Sequence, residues 1–263
     1  MSGLPDFVQP APQGAYRRLN PSTKLVIALV EALIAFTLRG WTGLAVVLLV
    51  VLGTAVVAGV ARAIVPFALA TIPLLISILL VNTFFYPGAT DVIVRLGPVV
   101  ATWTGLEFAV QAALRVVAFA LSVAVFGLTT RPDDLVADLE RRGLGRRAGF
   151  VISATLRTVP RIVERAREIT DAQRARGMDT EGGVVRRARG ILPLAAPLIF
   201  GALTEVEEQA MALEARGFGA ARRRTVLRVF PDSDIQRAAR WGLAGLLLLV
   251  IGLSVTGALA FLP

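Results

Sequence analysis

The chain sorts its hydrophobic and polar positions into long apolar runs and one long hydrophilic block. After a polar, Pro-rich opening of twenty residues, Leu25 to Leu38 forms the first apolar run. Arg39-Gly40-Trp41 breaks it, and Thr42 to Val60 forms a second. Both fall short of the ~20 residues that a perpendicular helical span needs, which predicts a tight hairpin with Trp41 at the far interface. Arg62 marks the return. The third run, Ile64 to Phe85, carries Pro66 and Pro73, each expected to kink its helix by removing a backbone donor. Tyr86-Pro87-Gly88 closes it, residues 89–104 read as an external or re-entrant connection, and Gly105 to Leu128 and Trp241 to Leu262 complete the set. The pattern predicts an all-α polytopic membrane protein with about five transmembrane helices.

Between the fourth and fifth runs lies the hydrophilic block. Its apolar positions, such as Phe150, Val151, Ala154, Val159, Ile162, Val163, Ala166 and Ile169, recur at helical spacing. Amphipathic helices of this kind lie along a membrane surface or pack under a transmembrane bundle. Helices are predicted over 133–142, 147–176 and 187–216, with Asp133 or Asp134 capping the first and Pro160, Pro193 and Pro197 dividing the later ones. The expected organisation is a cytoplasmic tail (1–20), transmembrane helices 1–4 (21–130), cytoplasmic helices (131–236) and a final transmembrane helix (237–263).

Charge sets the orientation. Of the 28 basic residues, 21 fall within 131–240, and the positive-inside rule then places that block and the N-terminal tail in the cytoplasm of a cell-membrane protein. Trp41, Trp103 and Trp241 fit interfacial belts. The block 131–236 also holds 15 of the 19 acidic residues and almost no aromatics, so the charge is mixed and nucleic acid is not an expected partner. With 55% hydrophobic residues and a mean hydropathy of +0.69, the expected surroundings are the lipid bilayer. The absence of Cys and His excludes thiol nucleophiles, disulfides and imidazole metal sites. Lys24 is the sole lysine and lies in no GxxxxGK[ST] loop, so no nucleotide cofactor is expected in this chain. The first twenty residues have no apolar core of the kind a cleavable signal peptide carries.

Within the hydrophilic block one short segment occurs twice. Glu164 to Gly177 reads ERAREITDAQRARG and Thr204 to Gly217 reads TEVEEQAMALEARG, ending in Ala175-Arg176-Gly177 and Ala215-Arg216-Gly217 at an offset of 40 residues. Arg-Gly at a helix end serves capping alone, because Gly adopts the left-handed conformation and a cation complements the macrodipole. A repeat at fixed offset points instead to one unit used twice, and hence to a partner that comes twice. Ala keeps each end slim, and Arg offers a planar fork suited to a carboxylate.

Together with Asn20-Pro21-Ser22-Thr23-Lys24-Leu25 before the first span, Arg115 in the fourth, and Thr129-Thr130-Arg131-Pro132-Asp133-Asp134-Leu135 at the membrane exit, these endings resemble the transmembrane T component of energy-coupling factor transporters, the family that includes the cobalt-transport permease subunit. Gly145 stands where that family has Pro. The resemblance implies a non-catalytic coupling subunit for uptake of a vitamin or metal ion. Two ABC-type ATPases, holding ATP and Mg, would receive the two helix ends, and one small membrane subunit would bind the substrate. Arg115 requires a partner within the membrane, and Glu31 and Glu107 are the available carboxylates. Two other readings stand beside this one. Asp133, Asp134 and Asp138 could hold Mg and diphosphate as in a membrane prenyltransferase, and an ordinary ABC importer permease would carry its own substrate path.

Overall fold

The computed structural model describes residues 14–38, 40–87, 91–96, 99–177, 184–218 and 232–256. The chain divides into two compact units, Met1–Arg142 with Phe230–Pro263, and the inserted Gly143–Val229. The first unit contains α1 (Pro21–Thr37), α2 (Trp41–Val57), α3 (Val65–Phe85), an antiparallel hairpin of β1 (Val92–Leu96) and β2 (Val99–Thr102), α4 (Trp103–Thr129), α5 (Pro132–Arg141) and α8 (Asp234–Val255). The second contains α6 (Arg146–Ala175) and α7 (Val184–Ala215).

Among the described residues, three helices are long and apolar enough to cross a membrane: α3, α4 and α8. Helices α1 and α2, at 17 residues each, reach about 26 Å at 1.5 Å per residue, short of a ~30 Å hydrocarbon core. The fold is that of a polytopic helical membrane protein. Its core lies between α1, α2 and α4 and is built largely from small residues, including Ala35, Ala55, Ala118 and Ala124 around Val47, Val51 and Val125. Small side chains let helix backbones approach where lipid supplies no hydrophobic drive between helices. Helix α3 has no buried residue, and Leu69, Ile72, Leu74, Ile76 and Leu80 give it an exposed aliphatic surface.

Several expectations change on contact with the structure. Pro66 does not kink α3; it occupies the first turn, where a missing N–H leaves no hydrogen bond unmade. Pro73 does lie inside that helix. Likewise Pro160 does not divide α6, nor Pro193 and Pro197 α7: both helices run through, each proline removing one donor from a long ladder. The connection 89–104, read only as external or re-entrant, contains the β-hairpin. Residues 14–20 are not a loose tail, since Ala15–Arg18 forms a 3-10 turn with Tyr16 and Asn20 buried. Helices α3 and α4 approach closely at Gly105, where an added Cβ would lie 2.5 Å from the Asn82 carbonyl oxygen on α3.

Gly145 caps the start of α6 with φ −58° and ψ 139°. That is a conformation proline prefers, and an added Cβ meets nothing within 4 Å. The Gly145→Pro variant is therefore expected to raise stability by about 0.4–1 kcal/mol through a less mobile unfolded chain. A rise in the thermal midpoint of the purified protein checks this, and a fall would mean that the Gly145 N–H is needed.

Candidate coupling site

At the start of α1 the sequence Asn20-Pro21-Ser22-Thr23 builds both a helix cap and a polar latch. Pro21 occupies the first turn, and the Asn20 side chain accepts from the Ser22 N–H at 3.0 Å. With its other end Asn20 donates Nδ2–H to Asp138 Oδ1 at 2.9 Å, while the Ser22 hydroxyl donates to Asp138 Oδ2. Arg142 Nε donates to the same Oδ2 at 2.8 Å, and Arg142 Nη2 donates to Asp232 Oδ2 at 3.0 Å. Asp232 also takes a two-pronged pair from Arg240 at 2.8 and 2.9 Å, and Arg240 Nη1 donates to Thr23 Oγ1 at 2.8 Å. Gln236 Oε1 accepts from the Asn20 N–H at 2.9 Å. The latch thus ties α1, α5 and α8 together, with Asn20, Ser22, Thr23, Asp138 and Arg240 buried and Arg142 and Asp232 at its partly exposed rim.

Lys24 completes that end of the bundle. It is buried, donates to the carbonyl oxygens of Arg17 and Thr129 at 3.1 Å each, and lies 5.9 Å from the Tyr16 ring centroid. A cation on the last carbonyls of α4 is favourable on both hydrogen-bond and dipole grounds.

The latch also defines the neck of the insertion. Gly143–Val229 leaves the first unit directly after Arg142 and returns just before Asp232, and those two residues form an ion pair. Burial pushes the Asp138 carboxyl up. Hydrogen bonds from Ser22, Arg142 and Asn20, with the Arg142 charge, more than offset this and leave it below the usual carboxylate range. Asp232 is likewise held low, by its hydrogen bonds with Arg240 first, then by the charges of Arg240 and Arg142 acting against burial.

The two Ala-Arg-Gly segments close α6 and α7. Gly177 has φ +87° and Gly217 φ +64°, the left-handed conformation that lets a helix stop. At the second end the Gly217 N–H bonds the Glu214 carbonyl and the Phe218 N–H the Leu213 carbonyl, both at 2.9 Å, giving the paired bonds of a Schellman motif. The first end has the corresponding Gly177 N–H to Arg174 carbonyl bond at 2.9 Å. Helix termination therefore accounts for the glycines. Arg176 and Arg216 complement the helix dipoles there, yet they are exposed and, among the described residues, joined to no carboxylate, which leaves both guanidinium forks open to a partner.

Helices α6 and α7 run antiparallel. Phe150 meets Phe218 with ring centroids 4.6 Å apart, and Arg161 pairs with Glu205. The second Ala-Arg-Gly end consequently lies beside the beginning of α6, and the first lies at its far end. From Phe150 to Arg176 a straight helix measures about 39 Å, so one chain presents two like ends at opposite ends of a helix pair.

The intramembrane candidates distribute differently. Arg115 Nη2 donates to the Leu38 carbonyl at 3.4 Å and to Gln111 Oε1 at 3.5 Å. Glu107 accepts from Trp41 Nε1 at 3.0 Å and from Gln111 Nε2 at 3.3 Å, so Gln111 bridges the two. Glu31 is buried beside the α1–α2–α4 core. Asp133 and Asp134 do not cap α5. Arg131 is its N-cap residue, and both carboxylates occupy the first turn, where they complement the dipole. Asp138, one turn on, has its oxygens engaged by Asn20, Ser22 and Arg142, which removes it from a diphosphate-binding trio. Sequence reasoning missed the latch. Its only visible signal was Asn-Pro before an apolar run, a helix-start signature.

Comparison with known proteins places this geometry in context. The family described as cobalt transport protein matches residues 14–227. The energy-coupling factor transporter transmembrane protein EcfT of Heliobacterium modesticaldum is 31% identical, over 89% of this chain and 91% of that protein. The EcfT proteins of Leuconostoc gelidum subsp. gasicomitatum (29%, covering 88% and 90%) and Listeria innocua (30%, covering 93% and 92%) are similar over comparable lengths.

Replacing Asp138 with Asn keeps the shape but removes the charge that holds Arg142, at an expected cost of about 2–3 kcal/mol. The pH dependence follows from the sign of the shifts. Asp138 and Asp232 have folded-state pKa values below the unfolded value of about 3.9, so their contribution is complete above it and is lost as pH falls through the folded values. Thermal midpoints of wild type and Asp138→Asn should differ constantly from pH 7 to 5 and converge below about pH 4. A difference unchanged at low pH would contradict the charged latch.

Proposed function

The chain belongs to the cobalt transport protein family and is a transmembrane component of an energy-coupling factor transporter; from that footing we propose that it couples two ABC-type ATPases to a separate small substrate-binding membrane subunit. In this reading the chain catalyses nothing itself. ATP and Mg are bound by the ATPases, and the vitamin or metal ion by the small subunit. The N-terminus and residues 131–236 face the cytoplasm.

The observation that carries this reading is the pair of left-over guanidinium groups. Arg176 and Arg216 each project from a helix end whose glycine is already used for capping, and they stand at opposite ends of the antiparallel α6–α7 pair. One chain then serves two ATPases, one per end, with each Arg entering a groove that supplies a carboxylate. An ordinary importer permease with one coupling loop per chain has no use for the second end. Displacement of α6 and α7 on ATPase closure reaches the bundle through the chain at Arg142 and Asp232, where the ion pair holds the two strands of the neck together.

Truncating one side of such a charge-assisted pair costs about 2–5 kcal/mol, because the remaining charge is buried alone. Arg176→Ala and Arg216→Ala are each expected to lose one ATPase copy on purification, or to retain it with hydrolysis uncoupled from uptake, and the double variant to lose both. Thermal stability should stay near wild type, since the backbone caps remain. Normal uptake and full ATPase stoichiometry in both single variants would refute the assignment.

A further inference from the structure

The β1–β2 hairpin between α3 and α4 is unlike a hairpin in water. Val92, Ile93 and Val94 are consecutive and all exposed, and a bulge between Val92 and Val94 leaves Ile93 without a partner across the ladder. A hairpin with a solvated face presents polar side chains there. Here the one charged side chain is Arg95, near the tip. The base is fixed by Asp91, whose Oδ2 accepts from the Thr104 N–H and hydroxyl at 2.7 and 2.8 Å at the start of α4.

The hairpin also begins and ends at the level of a membrane boundary. It connects Phe85, the last residue of α3, to Trp103, the first of α4, and these helices are long and apolar enough to span. Phe85 and Trp103 are 69% and 61% exposed. Trp41 is tied to Glu107 at the same end of α4. Aromatic side chains gather where hydrocarbon meets head groups. The outward aliphatic surface of α3 therefore continues onto the hairpin, whose second strand packs against that helix.

We propose that the hairpin is a lipid-contacting element seated in the membrane interface, with Val92, Ile93 and Val94 among the upper acyl carbons and Arg95 at the phospholipid phosphates. Depth is limited from both sides. Water would leave three aliphatic side chains exposed, and the hydrocarbon centre does not tolerate the unpaired outer edge of a two-stranded ladder. An Arg side chain reaches from the one environment into the other by extending its charged head. The hairpin thereby sets the level of α3 and α4 in the bilayer, whatever subunits the chain assembles with.

The absence of cysteine from the chain makes the test direct. Ile93→Cys and Val94→Cys, each carrying an environment-sensitive fluorophore, are placed in the full transporter complex reconstituted into phosphatidylethanolamine–phosphatidylglycerol vesicles. Ile76→Cys on α3 and Glu168→Cys on α6 serve as lipid and water references. The expected result is blue-shifted emission that loses most of its intensity to a nitroxide carried near the lipid head group. Loss to one at the acyl terminus should be smaller, and loss to iodide little. Iodide quenching like that of Glu168→Cys would overturn the proposal. Protection from both quenchers would overturn it too, and would assign the surface to a protein partner.

Discussion

A single carboxylate organises the polar end of the bundle. Asp138 is almost completely buried, and a buried charge is tolerated only when its lone pairs are taken up by donors. Its donors come from different parts of the chain: Asn20 and Ser22 from the start of α1, and Arg142 from one turn further along α5. Arg142 in turn fixes Asp232, which fixes Arg240 on α8, which reaches back to Thr23 on α1. The hydrogen bonds close a ring. Removing a donor to Asp138 strands a buried charge, so the start of α1, the end of α5 and the start of α8 are held as one piece.

That ring lies where the inserted unit leaves the bundle and rejoins it. An insertion on two unlinked strands could swing without disturbing its host. One whose two strands are ion-paired at the root transmits force to whatever the root is attached to. The root here is attached to α1 and α8, elements far apart in sequence. In the proposed coupling role the long helices of the inserted unit suit the input side, because both α6 and α7 continue past their prolines. Their glycine caps stop them abruptly, which leaves each Arg at a defined corner rather than on a frayed end.

The long apolar runs made the spanning helices and the all-α class legible, because twenty consecutive apolar residues have few other fates. The ends of α6 and α7 were legible too, since Gly after Ala-Arg is a stop signal with a backbone cause, and Gly177 and Gly217 adopt the conformation it requires. The latch was not. Asp138 looks in sequence like one member of an acidic helix start, and only the meeting of residues more than a hundred positions apart turns it inward. The hairpin escaped for a related reason: Val92–Leu96 and Val99–Thr102 are short apolar segments between spans, and short apolar segments do not declare whether they are strand or helix. Proline misled in the opposite sense. Its local cost is real, but Pro66 sits where no bond is lost, and α6 continues past Pro160.

The two units meet their surroundings in different ways. Outward aliphatic side chains on α3 sit in a spanning helix and find lipid, which asks nothing of their arrangement. Those on α6 and α7, including Val151, Val159, Ile162, Phe200, Leu203 and Val206, occur on helices dense in Arg and Glu and are exposed within their own unit. Rows of that kind drive association without specifying it, because apolar burial has no direction. Direction has to come from groups with geometry, and the exposed guanidinium forks of Arg176 and Arg216 at the helix ends are suited to supply it. A surface in which greasy flanks give affinity and two terminal arginines give register can release and re-engage a partner at one end while the other holds. The proposed coupling role, in which one chain follows two ATPases through a cycle, requires that property.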